Sequence, residues 1–214
     1  LVWYDGKEWE YIDVDNGSLY NGVLALSVAP DGDVWAATTR GILHFDGETQ
    51  TYFAEESGLD HDFNAIEVAR DGTVYAAMYD RILRYSDGFW ELYLDDDSEE
   101  LPDRLLSDSV QDIVETPGGI LCFAGFHGAF YIDGDEFIMC RDAAGNAISE
   151  VYTIAAYVDS FLFGTQSGIY SETFVPRVTA VTQPNGENPE RITMAIAPNP
   201  FNASTEIRYT LPSD

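Results

Sequence analysis

The sequence predicts an all-β protein: a β-propeller of four-stranded antiparallel blades, present as part of a ring, followed by the first strands of an Ig-like β-sandwich. Three observations carry the propeller. Residues 34–47, VWAATTRGILHFDG, return forty positions later as VYAAMYDRILRYSDG (74–88), more loosely as LCFAGFHGAFYIDG (121–134), and again as FLFGTQSGIY from Phe161. Asp-Gly pairs keep pace: Asp5, Asp46, Asp87 and Asp133 lie 41, 41 and 46 positions apart. An aliphatic series, Leu26, Ile66, Ile113 and Ile154, holds the same phase. Three series in register over three periods mark a repeat architecture, in which one supersecondary unit is stacked on copies of itself.

The elements follow in order. Residues 1–12, LVWYDGKEWEYI, hold two apolar-aromatic runs around Asp5-Gly6. They predict a hairpin on a tight primed turn, because Gly accepts positive φ without steric cost. Residues 16–21 read as a polar loop. Strands are expected at 23–29, 34–38, 41–45 and 49–53, with a turn at 30–33. The second unit spans 63–94 and the third 110–139, and 151–170 gives three strands of a fourth. In this alignment the third copy carries one extra residue in the short loop before Gly128. No stretch shows apolar residues at helical spacing, so helix should be nearly absent.

A four-stranded sheet of ~40 residues exposes apolar groups on both faces and must pack against its copies; a ring of roughly four to eight blades does this. Small second-strand residues, Ala36, Ala37, Ala76, Ala77, Ala124 and Gly164, suit the crowded inner part of such a ring. Residues 1–12 supply the last two strands of one blade, and the final blade offers three. Both partial blades therefore contain a third strand and cannot merge, so further N-terminal blades are expected. With no initiator Met and an opening in mid-repeat, the chain reads as a fragment or processed product.

The 214 residues carry 38 acidic and ten basic side chains, a formal charge of −28. Nucleic acid is excluded as an expected partner, because phosphate contacts need a basic footprint. No apolar run reaches the ~18 residues of a membrane helix. The surface charge reads as a device for solubility. Two cysteines do not make a disulfide scaffold. Cys122 and Cys140 fall on second and fourth strands, too far apart to bridge, and are expected as buried thiols.

DGDVWAATTRGILHFDG and DGTVYAAMYDRILRYSDG, preceded by Gly58-Leu59 and Leu101-Pro102-Asp103, resemble two-component regulator propeller repeats over about residues 1–171. The resemblance implies a periplasmic or extracellular propeller. Cys122 and Leu162 depart from it, standing where Trp35 and Tyr75 supply an aromatic. Residues 172–191 form a linker rich in Pro, Asn and Thr. From 192 to 214, ITMAIAPNPFNASTEIRYTLPSD resembles the start of the Ig-like C-terminal sorting domain of type IX secretion substrates. Pro198, Asn199, Pro200, Phe201 and Asn202 carry that likeness, which implies export to the outer surface and contact with a secretion machinery.

No catalytic motif appears. His61 between Asp60 and Asp62 lacks metal spacing, and a solvated loop is expected there. His44 is expected as a packed or edge residue. Asp95, Asp96 and Asp97 are oxygen ligands suited to Ca²⁺, yet without the spacing of a calcium loop; no cofactor is otherwise expected. In a blade, second-to-third strand loops and fourth-to-first connections emerge on one face, where function sits. On it the residues expected to bind are Arg40, Tyr79, Arg81, Phe126, His127 and Gln166. Arg can grip a carboxylate bidentately and an exposed aromatic can stack on a sugar or peptide. The function expected is a secreted, non-catalytic propeller binding an extracellular ligand or protein, with a glycan among the candidates. The rivals are a polysaccharide hydrolase or lyase, favoured by a carboxylate pair with a raised pKa on the loop face, and a structural module of a surface layer.

Overall fold

Period-2 alternation of aromatic and β-branched residues resolves into short strands. The computed structural model describes residues 2–4, 6–11, 22–54, 59, 61–95, 97–98, 106, 110–134, 136–174, 193–196 and 207–210. In chain order these hold β1 (Val2–Tyr4), β2 (Trp9–Tyr11), β3 (Val23–Val28), β4 (Val34–Thr38), β5 (Gly41–Phe45), β6 (Gln50–Phe53), β7 (Ala65–Val68), β8 (Val74–Met78), β9 (Arg81–Ser86) and β10 (Phe89–Asp95). They continue as β11 (Val110–Glu115), β12 (Leu121–Gly125), β13 (Ala129–Asp133), β14 (Glu136–Met139), β15 (Val151–Ala156), β16 (Ser160–Thr165), β17 (Gly168–Thr173), β18 (Thr193–Ile196) and β19 (Ile207–Thr210). No helix occurs among the described residues, so none there is long and apolar enough to cross a membrane.

The sheets are propeller blades. β3-β4-β5-β6, β7-β8-β9-β10 and β11-β12-β13-β14 are four-stranded and antiparallel in sequence order, and β15-β16-β17 gives three strands of a fourth. β1 and β2 pair separately, from Val2↔Tyr11 to Tyr4↔Trp9. The chain divides into two units, Leu1–Pro176 and Arg177–Asp214; in the second, β18 and β19 pair antiparallel from Thr193↔Thr210 to Ile196↔Ile207. Within the first unit, β3, β7, β11 and β15 lie beside one another in turn, so each blade puts its first strand innermost.

The core lies between blades rather than within them. Trp35, Ala37 and Ile42 of the first blade meet Ile66, Val74, Ala76 and Leu83 of the second. Ala65, Ala77 and Ile82 then meet Ile113, Leu121 and Phe123. Cys122, Ala129 and Cys140 meet Ile154, Phe161 and Phe163. The two thiols are buried and free, and burial together with neighbouring Cys140 pushes the Cys122 thiol well up. Cys140 stands one residue past β14, its N–H bonded to Ala129 O at 2.8 Å. The expected smallness of second strands is half right. Ala37, Ala77, Ala124 and Gly164 are small in all four blades, and a Cβ on Gly164 would crowd Thr153 Cγ2 at 2.9 Å. At the preceding position Ala36 and Ala76 give way to Phe123 and Phe163, which fill the later seams.

Turns correct the sequence reading in two places. The third copy has no extra residue: Gly125 N–H reaches Gly128 O at 2.9 Å across Phe126-His127, a two-residue loop like Thr39-Arg40. The Asp-Gly pairs are not one kind of turn. Asp87-Gly88 is a two-residue primed turn with φ of 53° and 88°, closed by Ser86↔Phe89. Tyr4↔Trp9 and Phe45↔Gln50 instead close loops of four residues. In the latter, Asp46 folds its carboxylate back onto the N–H groups of Glu48 and Thr49, at 2.9 and 2.6 Å. An Asp that caps its own loop removes the need for positive φ at two positions.

Candidate functional site

The second-to-third strand turns are built alike. Thr38↔Gly41, Met78↔Arg81 and Thr165↔Gly168 close two-residue loops, as Gly125 and Gly128 do in the third blade. Buried Thr38 fixes the first turn, donating its hydroxyl to Gly41 O at 2.9 Å and accepting Arg40 N–H at 3.2 Å. Thr165 repeats this with Gly168 O at 3.0 Å and Ser167 N–H at 3.2 Å. A Thr hydroxyl bonded to its own turn is a local device available to any strand end.

The six residues expected to bind thus occupy homologous points on four successive blades. Tyr79, Phe126 and Gln166 take the first turn position, Arg40 and His127 the second, and Arg81 opens β9. All are exposed except Phe126, which is half-buried. Arg81 Nε lies 3.5 Å from Asp80 Oδ1, and the Tyr52 hydroxyl donates to Arg40 O at 2.8 Å. Tyr79 is held at φ 36°, a strained left-handed conformation of the kind that clusters at binding sites. The structure therefore sets the six along one rim, one or two per blade.

Sequence reading missed the inner row of that rim. Ladder register slips between Val23 and Ala25, Val110 and Asp112, and Val151 and Thr153. Leu24, Gln111 and Tyr152 are bulged out, and Asn64 takes the same place before β7, its N–H on Ala77 O, the partner of Ala65. A signal existed. Val110 and Ile113 are buried in one seam, and Val151 and Ile154 in the next. Apolar residues three apart cannot share a face of a regular strand, so one residue between them must bulge. The bulge brings Tyr152 edge-on to Phe126, ring centres 5.6 Å apart. Turn and bulge of adjacent blades thereby form one aromatic platform, the more so because Glu150 N–H bonds Phe126 O at 2.8 Å.

Two carboxylates have raised pKa values, both chiefly from burial. Glu67 accepts the Ser27 hydroxyl at 3.0 Å and Glu115 N–H at 3.2 Å. Asp112 accepts Ile154 N–H at 2.7 Å and the Thr153 hydroxyl at 3.0 Å. Each joins neighbouring blades, and its acceptor oxygens are already engaged there.

Other candidates resolve as structure. His44 stacks on Trp35 at 4.2 Å and places Nε2 2.6 Å from Asp33 Oδ2. Asp95 Oδ1 accepts Asp97 N–H at 3.2 Å and the Ser98 hydroxyl at 3.1 Å, capping the end of β10. Asp96, Asp60 and the whole run from Pro198 to Asn202 lie outside the described residues. Among the described residues no three His, Cys, Asp or Glu side chains converge as a metal site.

No protein-family profile matches the chain, and no curated protein matches it. Solved structures do. PorZ, an essential bacterial surface component of the type IX secretion system of Porphyromonas gingivalis, superposes with a TM-score of 0.61 at 16% identity. That match covers 98% of this chain and 32% of PorZ. The extracellular domain of a hybrid two-component system from B. thetaiotaomicron gives a TM-score of 0.56 at 14% identity, over 98% of this chain and 29% of that one. A protein described as a gluconolactonase gives 0.55 at 13% identity, over 78% and 64%. The chain thus spans about a third of PorZ and of that extracellular domain, and under two thirds of the third structure. At these identities the likeness is one of fold: the chain is an array of β-propeller blades.

Proposed function

We propose that this chain is a secreted or cell-surface propeller that binds a protein or glycan on its turn-bearing rim without transforming it, and that a type IX-like route exports it. The observation that carries the reading is the rim itself. Arg40, Tyr79, Arg81, Phe126, His127 and Gln166 stand in or beside the equivalent turn of four blades, and half-buried Phe126 with exposed Tyr152 forms an aromatic platform. Paired strand ends fix the backbone that carries these side chains, which lowers the entropy lost on binding. The aromatics give area for stacking and the two Arg give bidentate donors. Similarity in fold to PorZ and to a two-component extracellular domain supports a surface location. So does the sorting-like sequence at Pro198, Asn199, Pro200, Phe201 and Asn202.

The test is binding of the purified chain to glycan and peptide arrays, repeated with Phe126→Ala/Tyr152→Ala and with Arg40→Ala/Arg81→Ala. Each pair should weaken a hit at least about tenfold, the share expected of an anchor residue. Asp31→Ala, on the opposite turns, should leave it unchanged. Hits insensitive to both rim pairs would overturn the reading. Export is tested separately: Pro200→Ala/Asn202→Ala should keep the protein from the surface of a type IX-competent cell.

A further inference from the structure

We infer, resting on the rim reading above, that the Phe126–Tyr152 platform seats a cationic side chain, an Arg or Lys presented by a partner protein. Glu150 is held at φ 55°, in the left-handed region that a residue with a Cβ seldom enters. Its N–H is engaged by Phe126 O at 2.8 Å, and it stands two residues before Tyr152. A carboxylate thus occupies a strained backbone position beside the platform, where Gly would sit without strain. Glu150 is exposed, and among the described residues no hydrogen bond or ion pair engages its side chain. Neighbouring charges differ. Asp142 folds onto its own loop, accepting the N–H groups of Ala144 and Asn146 at 2.9 and 2.8 Å. Asp112 is bonded to Ile154 N–H and the Thr153 hydroxyl. Arg141, in the same connection as Glu150, donates from its guanidinium to Gly145 O at 2.9 Å.

The occupant is set by charge. Tyr152 is 50% exposed and lies edge-to-face with Phe126, at an interplanar angle of 88°. The faces of such rings are negative, and a guanidinium or ammonium within ~6 Å of a ring centre is drawn to them. A carboxylate at the margin supplies a second partner for the same cation. The formal charge of −28 attracts cations to the chain and repels acidic glycans. A neutral sugar would stack on Tyr152 but leave the Glu150 charge unanswered. A basic segment of a protein meets the ring, the carboxylate and the field together. Arg40 and Arg81 stand on the first two blades, whereas this platform joins the third and fourth.

The probe is a fluorescein-labelled Gly-Arg repeat peptide, titrated by anisotropy with the full chain in low and high salt. Wild type should bind it, more weakly in high salt. Tyr152→Leu keeps the net charge and an apolar side chain, yet should weaken binding about three- to thirtyfold, the range of a cation over a ring. Tyr152→Phe should bind like wild type. Glu150→Gln should weaken binding about two- to fivefold. Asp31→Asn removes the same charge on the opposite turns and should change nothing. Glu150→Gly should bind as poorly as Glu150→Gln and melt no lower than wild type, a combination that a merely structural role would not give. Citrulline in place of Arg should cost as much as Tyr152→Leu. A peptide held equally by wild type and Tyr152→Leu would overturn the inference, since net charge alone would then bind it. So would a citrulline peptide or a neutral oligosaccharide that binds as tightly as Gly-Arg and is lost with Phe126→Ala/Tyr152→Ala, a result that would leave the rim reading standing. Probes indifferent to every rim variant would overturn both.

Discussion

Gly41 and Arg81 occupy one position in successive blades, and the backbone strain moves between them. Gly41 sits at φ 129°, and a Cβ there would intrude on Phe53 O. Arg81 carries a side chain at that place, and the left-handed conformation falls on Tyr79 instead. Strain of this kind costs about 1–3 kcal/mol per residue. Gly41→Ala should therefore lose about 1–3 kcal/mol in urea unfolding. Tyr79→Gly should be neutral or gain about 1 kcal/mol while weakening ligand binding at the rim. A Tyr79→Gly variant as unstable as Gly41→Ala would show that Tyr79 is held by packing. Asp46 gives a second test. Bonds from the Thr49 N–H and hydroxyl and the Glu48 N–H hold its pKa down to about 2. Its contribution is complete above the ordinary carboxylate range near ~4 and is lost as pH falls through about 2. Asp46→Ala should melt below wild type at neutral pH, and the two curves should converge in strong acid.

At the scale of strands, side chains of one inner strand clasp the next. Ser27 accepts Val68 N–H at 2.9 Å, Glu67 accepts that of Glu115, and Asp112 accepts that of Ile154. Removing Asp112 as Ala strands the Ile154 N–H between blades, which costs about 1–3 kcal/mol. Hydrogen exchange at Ile154 should quicken more than at Ile66, two blades away; equal quickening would mean global loss instead. How far the sequence disclosed this differs by range. The strands were legible because alternation is local, and β3, β4, β5 and β6 follow residues 23–29, 34–38, 41–45 and 49–53 closely. The rim positions were legible because the repeat aligns them. The turn types were not, since Asp46-Gly47 and Asp87-Gly88 are the same dipeptide and only the flanking register separates them. The clasps and the Phe126–Tyr152 pair join residues of different blades, 26 or more positions apart, and no local pattern announces them.

The whole molecule sets half-buried carboxylates inside a strongly acidic surface, and both act in the same direction as pH changes. Burial raises Glu67, helped by the charges of Glu115 and Asp112 and opposed by its bonds to Ser27 and Glu115 N–H. Burial raises Asp112 against the bonds from Ile154, Thr153 and Ile113. An acid whose folded pKa lies above its unfolded value holds its proton more tightly in the folded state. Stability therefore rises as pH falls through the raised value, and the gain is complete near the unfolded value of ~4. The net charge of −28 shrinks over the same interval and relieves self-repulsion. Asp46 and Asp142, both lowered by bonds within their own turns, oppose this only below the ordinary carboxylate range. The melting temperature should thus climb as pH falls from neutral toward the unfolded carboxylate value of ~4, and fall again in strong acid. The two causes separate experimentally. High salt screens surface repulsion over ~10 Å or less but barely touches partly buried groups. In high salt the wild type should keep part of its climb, and Glu67→Gln/Asp112→Asn should lose that remainder. A double variant with the full wild-type slope in high salt would show that the seams do not govern how this array responds to acid.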